Sequence, residues 1–470
     1  MSDRRIMTTA YSRTWRGVRS LSALALGGLA LTACNLDKTL HVDDVDVATP
    51  ASVSNAAGLP VVYAGGLADF QQQFTSTDGA VTLPGLMTDE LRDIDTFPTR
   101  IEVDQRTTQV TNGTVQTWYR QMHLARASLE RGTAAFAQYA PTDPRRAELH
   151  ALDGFMYVMF AEDWCNGVSY SSFVNGVSKY GPAQSGDQSL ALAVAQFDSA
   201  LALAAPGSNQ AYLAKVGKAR ALLDKGDYAG AAAAAAGVPA TWQYFVYTST
   251  NSGRENNGIY TNVGPQSKRF AVADMDGTNG LAFRTEGQNV AGTTGDWRVR
   301  YNRSGVGQDG SSPAYYTQKY PSYAAPVVLA DGVEAQLIIA ENLLKNGNVQ
   351  AMLDTLNALR KNTVIGNSLP YTQAGQSPAT ALPPLTDPGT PDGRVNLLFH
   401  ERAFWMYLTG HRLGDMRRLI RQYGRSAESV FPTGAYQGAA GGVVGTDVNF
   451  PITVDEGNNT GAPGCTDRKP

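Results

Sequence analysis

The amino-acid sequence predicts an all-α protein in which helical hairpins form a scaffold that carries a long, aromatic-rich loop region. Two observations predict the helices: apolar residues recur three and four positions apart in the first half of the chain, and two later segments have the pattern of helix, turn and helix. The third observation is the segment 240–325, which is rich in Gly, Ser, Asn and Thr and interrupts that pattern. At 470 residues, the chain is long enough to bury a large core.

The first part of the chain, 1–33, has the features of a lipoprotein signal peptide. Arginines precede an apolar run that is too short to cross a bilayer as a permanent helix. The run ends in Leu-Thr-Ala-Cys, the form of a bacterial lipobox, so Cys34 is the predicted lipidation site and the first mature residue. The alternative is ordinary cleavage after Ala33, with a cysteine there by chance. Acyl chains on Cys34 would anchor the protein stably, because each buried methylene contributes about 0.8 kcal/mol.

An acidic tether, 34–50, is predicted to join this anchor to the helical domain, 51–470. Asn35 stands where an aspartate would signal retention in the inner membrane, so the sequence allows transport to the outer membrane. The chain has 39 basic and 42 acidic residues, and loss of five arginines and one aspartate with the leader changes the net charge from −3 to about −7. Nucleic-acid binding is not expected, because no basic surplus is available to neutralise phosphates.

Two long amphipathic helices are predicted after the tether. In the first, the apolar face consists of Val115, Trp118, Met122, Ala125 and Leu129. The second begins at Asp143-Pro144, where the aspartate has the character of an N-cap and the proline suits the first helical position. Its apolar face consists of Leu152, Phe155, Met156, Met159 and Phe160. We interpret both faces as core.

Two helical hairpins follow. In the first, an apolar helix at 212–223 is joined by a turn at 226–228 to an alanine-rich helix that Gly237 ends. In the second, helices at 333–344 and 352–359 flank an Asn-Gly-Asn turn. Small residues allow two helices to approach closely, which is the packing of tetratricopeptide-like repeats.

The loop-rich excursion at about 240–325 is the predicted ligand-binding face. Long loops in compact domains are usually functional, and aromatic rings stack on the C–H faces of sugars while amide and charged groups bind hydroxyls. The composition therefore favours a neutral glycan or a peptide as the ligand. The candidate ligand-binding residues are Trp242, Tyr244, Trp297, Tyr301, Tyr315 and Tyr316. The alternative for each ring is that it packs the loops onto the scaffold.

The sequence contains no motif that predicts catalysis, a metal site or a cofactor. Neither HExxH nor GxSxG is present, and paired carboxylates such as Asp89-Glu90 are more typical of a helix cap or a solvated surface than of a hydrolase. Cys165 and Cys465 remain once Cys34 is lipidated, and outside the cytoplasm such a pair commonly forms a disulfide. The alternative is two separately buried thiols.

Several segments resemble the SusD/RagB family of nutrient-uptake outer-membrane lipoproteins. EAQLIIAEN at 334–342 and LNALR at 356–360 are similar to that family, and the similarity is greatest in HERAF at 400–404 and GHRLGDMRR at 410–418. NFPI at 449–452 resembles the family's usual ending, and Trp118-Tyr119 stands where the family often has an aromatic pair. The sequence departs from the family pattern at 408–409, 414 and 416.

The resemblance implies four tetratricopeptide-like hairpins with a loop-rich face that binds an oligosaccharide or another small nutrient. It also implies a SusC-like TonB-dependent transporter as the partner, and a cell-surface location on the outer membrane. The charged residues of its signature are expected to form structural ion pairs between helices, since such pairs can fix a helix angle when they are hydrogen-bonded. These residues are Glu401, Arg402, Arg412, Asp415 and Arg417.

The leading functional hypothesis is therefore a surface-exposed, lipid-anchored glycan-binding protein without enzymatic activity. A helical scaffold lipoprotein that serves outer-membrane assembly is the first alternative. A secreted hydrolase, suggested only by acids near aromatic loops, is the second.

Overall fold

The computed structural model describes residues 55–174, 177–290, 292, 294–459 and 464–465. The predicted leader, Cys34 and the acidic tether lie outside these residues. The helices are α1 (Leu59–Thr75), α2 (Thr82–Met87), α3 (Pro98–Asp104), α4 (Gly113–Tyr139), α5 (Pro144–Asp163), α6 (Gly186–Leu203), α7 (Asn209–Asp224), α8 (Tyr228–Ala235), α9 (Gly258–Val263), α10 (Phe283–Glu286), α11 (Gly332–Lys345), α12 (Val349–Lys361), α13 (Thr363–Gly366), α14 (Pro391–Trp405), α15 (Arg412–Tyr423) and α16 (Ala427–Val430). Short 3₁₀ turns occupy Ala56–Gly58 and Val454–Asn458.

Four pairs of packed helices form the scaffold: α1 with α4, α5 with α6, α7 with α8, and α11 with α12. α7 packs against α6, and α8 packs against α11, so neighbouring pairs share surfaces. This arrangement confirms the predicted all-α fold of tetratricopeptide-like hairpins. None of the helices in the described ranges combines the length and apolar character needed to cross a membrane.

The helix boundaries follow the signals in the sequence. The side chain of Asp143 accepts a hydrogen bond from the Arg145 N–H, and Pro144 occupies the first position of α5, as predicted. In the first hairpin, α8 ends at Ala235, and Gly237 follows with a φ of +76°, a conformation that glycine adopts without steric cost.

Short strands are attached to this scaffold. They are β1 (Leu91–Asp93), β2 (Val168–Ser169), β3 (Ser172–Val174), β4 (Val177–Lys179), β5 (Ala183–Gln184), β6 (Gln243–Val246), β7 (Phe270–Val272), β8 (Gly287–Asn289), β9 (Asp296–Val306), β10 (Pro313–Thr317) and β11 (Val327–Asp331). β6 and β11 form an antiparallel ribbon, and β9 lies between a parallel β8 and an antiparallel β10. The aromatic excursion thus contains regular structure where only loops were predicted. β6, β7, β8 and β10 have three to five residues and are too short to show a clear alternation, whereas β9 has 11 residues.

The C-terminal part of the described chain packs into the helical core. The indole of Trp118 lies 5.1 Å from the ring of Trp164 and 5.2 Å from that of Phe450, measured between ring centroids. Cys165 and Cys465 are joined by a disulfide whose Cα atoms are 5.7 Å apart. The bond ties the end of the chain to the residues that follow α5.

Buried ion pairs join the last helices to the rest of the scaffold. The carboxylate of Asp415 on α15 accepts hydrogen bonds from Arg402 on α14, at 2.9–3.1 Å, and from Arg418, at 2.7 Å. Arg418 also pairs with Glu341 on α11 at 2.6 Å. These groups are almost fully buried, so they compensate one another's charge inside the protein.

Two further signature residues connect distant parts of the chain. Glu401 pairs with Arg298 on β9 at 2.7 Å and with Arg360 on α12 at 2.6 Å. Arg412 pairs with Asp89, which follows α2, at 2.7 Å. The expected ion pairs of these residues are therefore present.

The expectation for Arg417 is wrong. Its guanidinium donates to main-chain carbonyls at the end of α5, including that of Ala161 at 2.8 Å, and it forms no ion pair with any described residue. Arg417 lies two positions after Asp415, so it projects from a different face of α15 than Asp415 and Arg418. The carbonyls at a helix C-terminus carry partial negative charge and take the place of a carboxylate.

Candidate ligand-binding cleft

A cleft of about 620 Å³ opens between the first helical pairs and the β6 strand. One wall comes from α1, a second from the first half of α5 and the start of α7, and the third from β6 and the loop after it. The aromatic residues of the lining are Tyr63, Phe70, Tyr244, Phe245 and Tyr247. The polar residues of the lining are Gln71, Glu148, Asn209, Gln210, Gln243, Thr248, Ser249 and Glu255.

Glu148 fixes two of these aromatic rings. Its two carboxylate oxygens accept hydrogen bonds from the hydroxyl of Tyr244 at 2.6 Å and from that of Tyr63 at 2.9 Å. Burial, followed by the charge of Glu148, raises the pKa of both tyrosines, so both hydroxyls remain donors at neutral pH. The three residues therefore connect three elements of the cleft wall, α1, α5 and β6.

The ring of Tyr247 is the most accessible aromatic surface here, with 74% of the residue exposed. It lies 6.3 Å from the ring of Phe245, between centroids. A ring with this exposure offers apolar surface on which a sugar or another flat apolar group can stack.

Amide groups stand beside these rings. The Oδ1 of Asn209 accepts a hydrogen bond from the indole N–H of Trp242 at 3.1 Å, and the ring of Trp242 packs 5.7 Å from that of Tyr212. Trp242 therefore does not line the cleft itself but binds Asn209, which does. The Nε2 of Gln243 donates to the carbonyl of Leu369 at 2.6 Å.

An ionised carboxylate lies at the rim. Glu255 accepts hydrogen bonds from the hydroxyls of Ser249 and Ser252, at 2.5 and 3.1 Å, and these bonds lower the pKa of Glu255. With Glu148 deeper in the cleft, the lining carries acidic and amide groups and no basic residue. The cleft thus suits a neutral ligand better than an anion.

One predicted ligand-binding residue, Trp297, belongs to the core instead. It is only 3% exposed, its indole N–H donates to the carbonyl of Thr380 at 2.9 Å, and its ring packs against Tyr371 and Trp405. The packing alternative is therefore correct for this ring, because the segment around 366–380 folds over it.

The other predicted tyrosines lie on the three-stranded sheet. The rings of Tyr301 and Tyr315 meet edge to face at 6.0 Å, and the guanidinium of Arg284 covers Tyr315 at 4.0 Å from the ring centroid. Tyr316 is half-buried and pairs across the strands with Asn302. The structure thus brings Tyr244 into the lining of the cleft, places Trp242 against the lining residue Asn209, and places these three tyrosines elsewhere in the fold.

The acidic pair Asp89-Glu90 is built into the interior. Asp89 is held by Arg412, and Glu90 accepts a hydrogen bond from the Leu408 N–H at 2.7 Å. Burial raises the pKa of Glu90 to about 8. Both carboxylates are nearly inaccessible to solvent, so their role is structural rather than the cap or solvated surface that the sequence suggested. The described residues include no group of His, Cys, Asp or Glu arranged to hold a metal ion.

The helices and the cleft define a class of protein: a scaffold of helical hairpins with an open, aromatic-lined cleft. No family model and no curated protein matches the sequence. Solved structures, however, have a similar fold. A SusD superfamily protein from Bacteroides vulgatus ATCC 8482 is 12% identical, with a TM-score of 0.58 over 88% of this chain and 99% of that one. A SusD-like carbohydrate binding protein from Bacteroides fragilis NCTC 9343 is 15% identical, with a TM-score of 0.61 over 86% of this chain and 98% of that one.

A SusD-like carbohydrate binding protein from Bacteroides vulgatus ATCC 8482 is also similar, with 13% identity and a TM-score of 0.55 over 77% of this chain and 83% of that one. The chain therefore has the SusD fold along most of its length. The resemblance that the sequence motifs predicted is confirmed at the level of the fold.

Proposed function

We propose that the protein binds a neutral oligosaccharide in the cleft between α1 and β6. The observation that carries this proposal is the pairing of an exposed aromatic face, Tyr247, with rings that Glu148 holds in place and with amide groups beside them. Stacking rings and amides are the groups that recognise sugars, and the acidic lining disfavours an anion. The name "carbohydrate binding protein" carried by two proteins of the same fold supports this choice of ligand.

We further propose that the protein works at the cell surface and delivers its ligand to a SusC-like TonB-dependent transporter of the outer membrane. The lipobox ending in Cys34 and the SusD fold support this location and this partner. The protein binds and passes on its ligand without changing it.

Calorimetric titration against a library of neutral oligosaccharides tests the binding proposal. Tyr247→Ala should weaken the tightest sugar by about 1–3 kcal/mol, by analogy with the loss of one aromatic stacking partner for a nucleobase. Tyr180→Ala is the matched control, because Tyr180 is similarly exposed, at 57%, and does not line the cleft. The proposal fails if no sugar binds, or if the two variants lose the same affinity.

The proposed anchor predicts that Cys34→Ala leaves the fold intact and moves the protein from the membrane fraction to the soluble fraction. Continued membrane association of this variant would show that lipid is not the main anchor. Protease shaving of intact cells separates surface capture from the scaffold alternative, since a periplasm-facing scaffold would be protected. Chemical cross-linking in membranes, followed by mass spectrometry, identifies the partner, and absence of a TonB-dependent transporter from the products would contradict the delivery step.

A further inference from the structure

A second cleft, of about 420 Å³, lies beside the three-stranded sheet. Its walls are Val290, Gln318, Pro321 and the loop 373–377. No acidic residue lines it, whereas the first cleft is lined by two glutamates. The second cleft thus has a different electrostatic character, although the chain as a whole is negatively charged.

A buried guanidinium stands behind the loop of this cleft. Arg300 on β9 is 2% exposed, and it donates to the Oε1 of Gln376 at 2.8 Å and to the carbonyl of Ser377 at 2.7 Å. Its Nε has no hydrogen-bond partner among the described residues. Both acceptors belong to residues that line the cleft.

The charge of Arg300 has no carboxylate to balance it in the described part of the chain. Arg298, two positions earlier on the same strand and equally buried, is paired with Asp296 at 2.6 Å and with Glu401 at 2.7 Å. Arg300 has no such pair within 4.0 Å, and burial alone lowers its pKa. Burial of a cation without a neighbouring anion is unfavourable. An anion bound in this cleft should therefore interact more favourably with Arg300 than with an arginine in water.

Gln376 lies between the guanidinium of Arg300 and the cleft. Its amide oxygen accepts from Arg300 and, at 3.1 Å, from the Gln373 N–H. Its amide nitrogen makes one long contact, at 3.4 Å, to the carbonyl of Gln318. A primary amide whose oxygen binds a cation has more strongly polarised N–H donors, and such donors favour negatively charged oxygen atoms.

An aromatic ring lies on the same side of the sheet. Tyr316 is half-buried and is the cross-strand partner of Asn302, which stands two positions after Arg300 on β9, so Tyr316 and Arg300 belong to the same face of the sheet. Aromatic rings stack on the C–H faces of sugars, so a ring on this face of the sheet suits a saccharide ligand.

We propose that this second cleft binds the anionic group of an acidic saccharide, a uronate carboxylate or a sulfate ester. Gln376 donates to the anion, and Arg300 supplies the buried countercharge. This site is independent of the neutral-sugar cleft, because it uses other elements of the fold and the opposite electrostatics.

Calorimetric titration of the mature protein at low salt tests the site with digalacturonate, its methyl ester, galactose 6-sulfate and galactose. The charged ligands should bind at least ten-fold more tightly than their neutral counterparts. A preference for digalacturonate alone identifies a carboxylate site, and a preference for the sulfate alone identifies a sulfate site. Equal affinity for charged and neutral ligands, or no binding of either anion, overturns the proposal, whatever the result at the first cleft.

Variants locate the binding. Gln376→Glu places a carboxylate against Arg300 and should reduce affinity for the anion by more than ten-fold, without loss of helical circular dichroism. Arg300→Met should reduce the affinity to the same extent. If the Arg300→Met variant does not fold, the affinity of Gln376→Glu for the anion decides whether the site is correctly assigned. Arg303→Met is the matched control, because it removes the same charge from an exposed position on the same strand and should leave affinity unchanged. Unaltered binding by Gln376→Glu, or equal losses in Gln376→Glu and Arg303→Met, contradicts the assignment.

Discussion

Replacement of Asp415 by asparagine should destabilise the protein strongly. In the folded state the carboxylate is 4% exposed and balances Arg402 and Arg418, which are also buried. Asparagine keeps the shape but removes the charge, leaving two guanidinium groups without this anion inside the protein. Loss of one partner of a buried ion pair typically costs about 3–5 kcal/mol. With an unfolding entropy of about 2.1 cal/mol/K per residue over about 400 residues, the Tm should fall by roughly 4–6 °C.

Scanning calorimetry measures this difference, with Asp392→Asn as the matched control. The side chain of Asp392 is 94% exposed and lies 3.6 Å from Arg425, so its loss should cost no more than about 1 kcal/mol. The two arginines lower the pKa of Asp415 against the effect of its burial. Its stabilising effect should therefore be complete above about pH 5 and decline as the pH falls below the value of about 3.9 that holds in the unfolded chain. Equal Tm changes in the two variants would refute the structural role of Asp415.

Two further predictions concern the interior. Burial raises the pKa of Glu90 to about 8 in the folded protein. Between about pH 4.5 and 8 the Glu90 carboxyl is ionised in the unfolded chain and still protonated in the folded one, so the free energy of unfolding should decrease as the pH rises. Urea titrations of Glu90→Gln should show a smaller decrease in the free energy of unfolding over this pH range. An unchanged pH dependence would contradict the prediction for Glu90. Gly217→Ala should cost about 1–3 kcal/mol, since the new methyl group would lie 2.2 Å from the Phe197 ring. Gly65→Ala, where nothing lies within 4 Å of the new methyl group, should instead stabilise the protein by about 0.5–1 kcal/mol. If both variants changed the free energy of unfolding in the same direction, the packing argument would be wrong.

The helical scaffold was predictable because long periodic segments and strong end signals act locally. Asp143 and Gly237 mark helix ends through their own side chain or backbone conformation, so their effect is independent of the rest of the fold. Strands β6 and β7 of the aromatic excursion were not predictable, because their partners, β11 and β1, lie far away in sequence. β6 pairs with β11 across about 80 intervening residues.

The candidate site was only partly predictable for the same reason. Tyr244 was identified from its aromatic surroundings, but Tyr63 and Glu148 come from scaffold helices, where such residues look like ordinary surface positions. No local signal distinguishes them, and only the fold brings them within hydrogen-bond distance of each other. Trp297 shows the reverse case: a tryptophan in a polar segment suggests exposure, yet a distant loop buries it.

A crystal structure of the protein with its tightest neutral oligosaccharide would show whether the cleft between α1 and β6 is the binding site. We predict a sugar ring stacked within about 4 Å of the face of Tyr247, with hydroxyl groups hydrogen-bonded to the amides of the cleft. A sugar bound on another surface, with Tyr247 and the amides around it still in contact with solvent alone, would contradict the assignment of the cleft as the capture site.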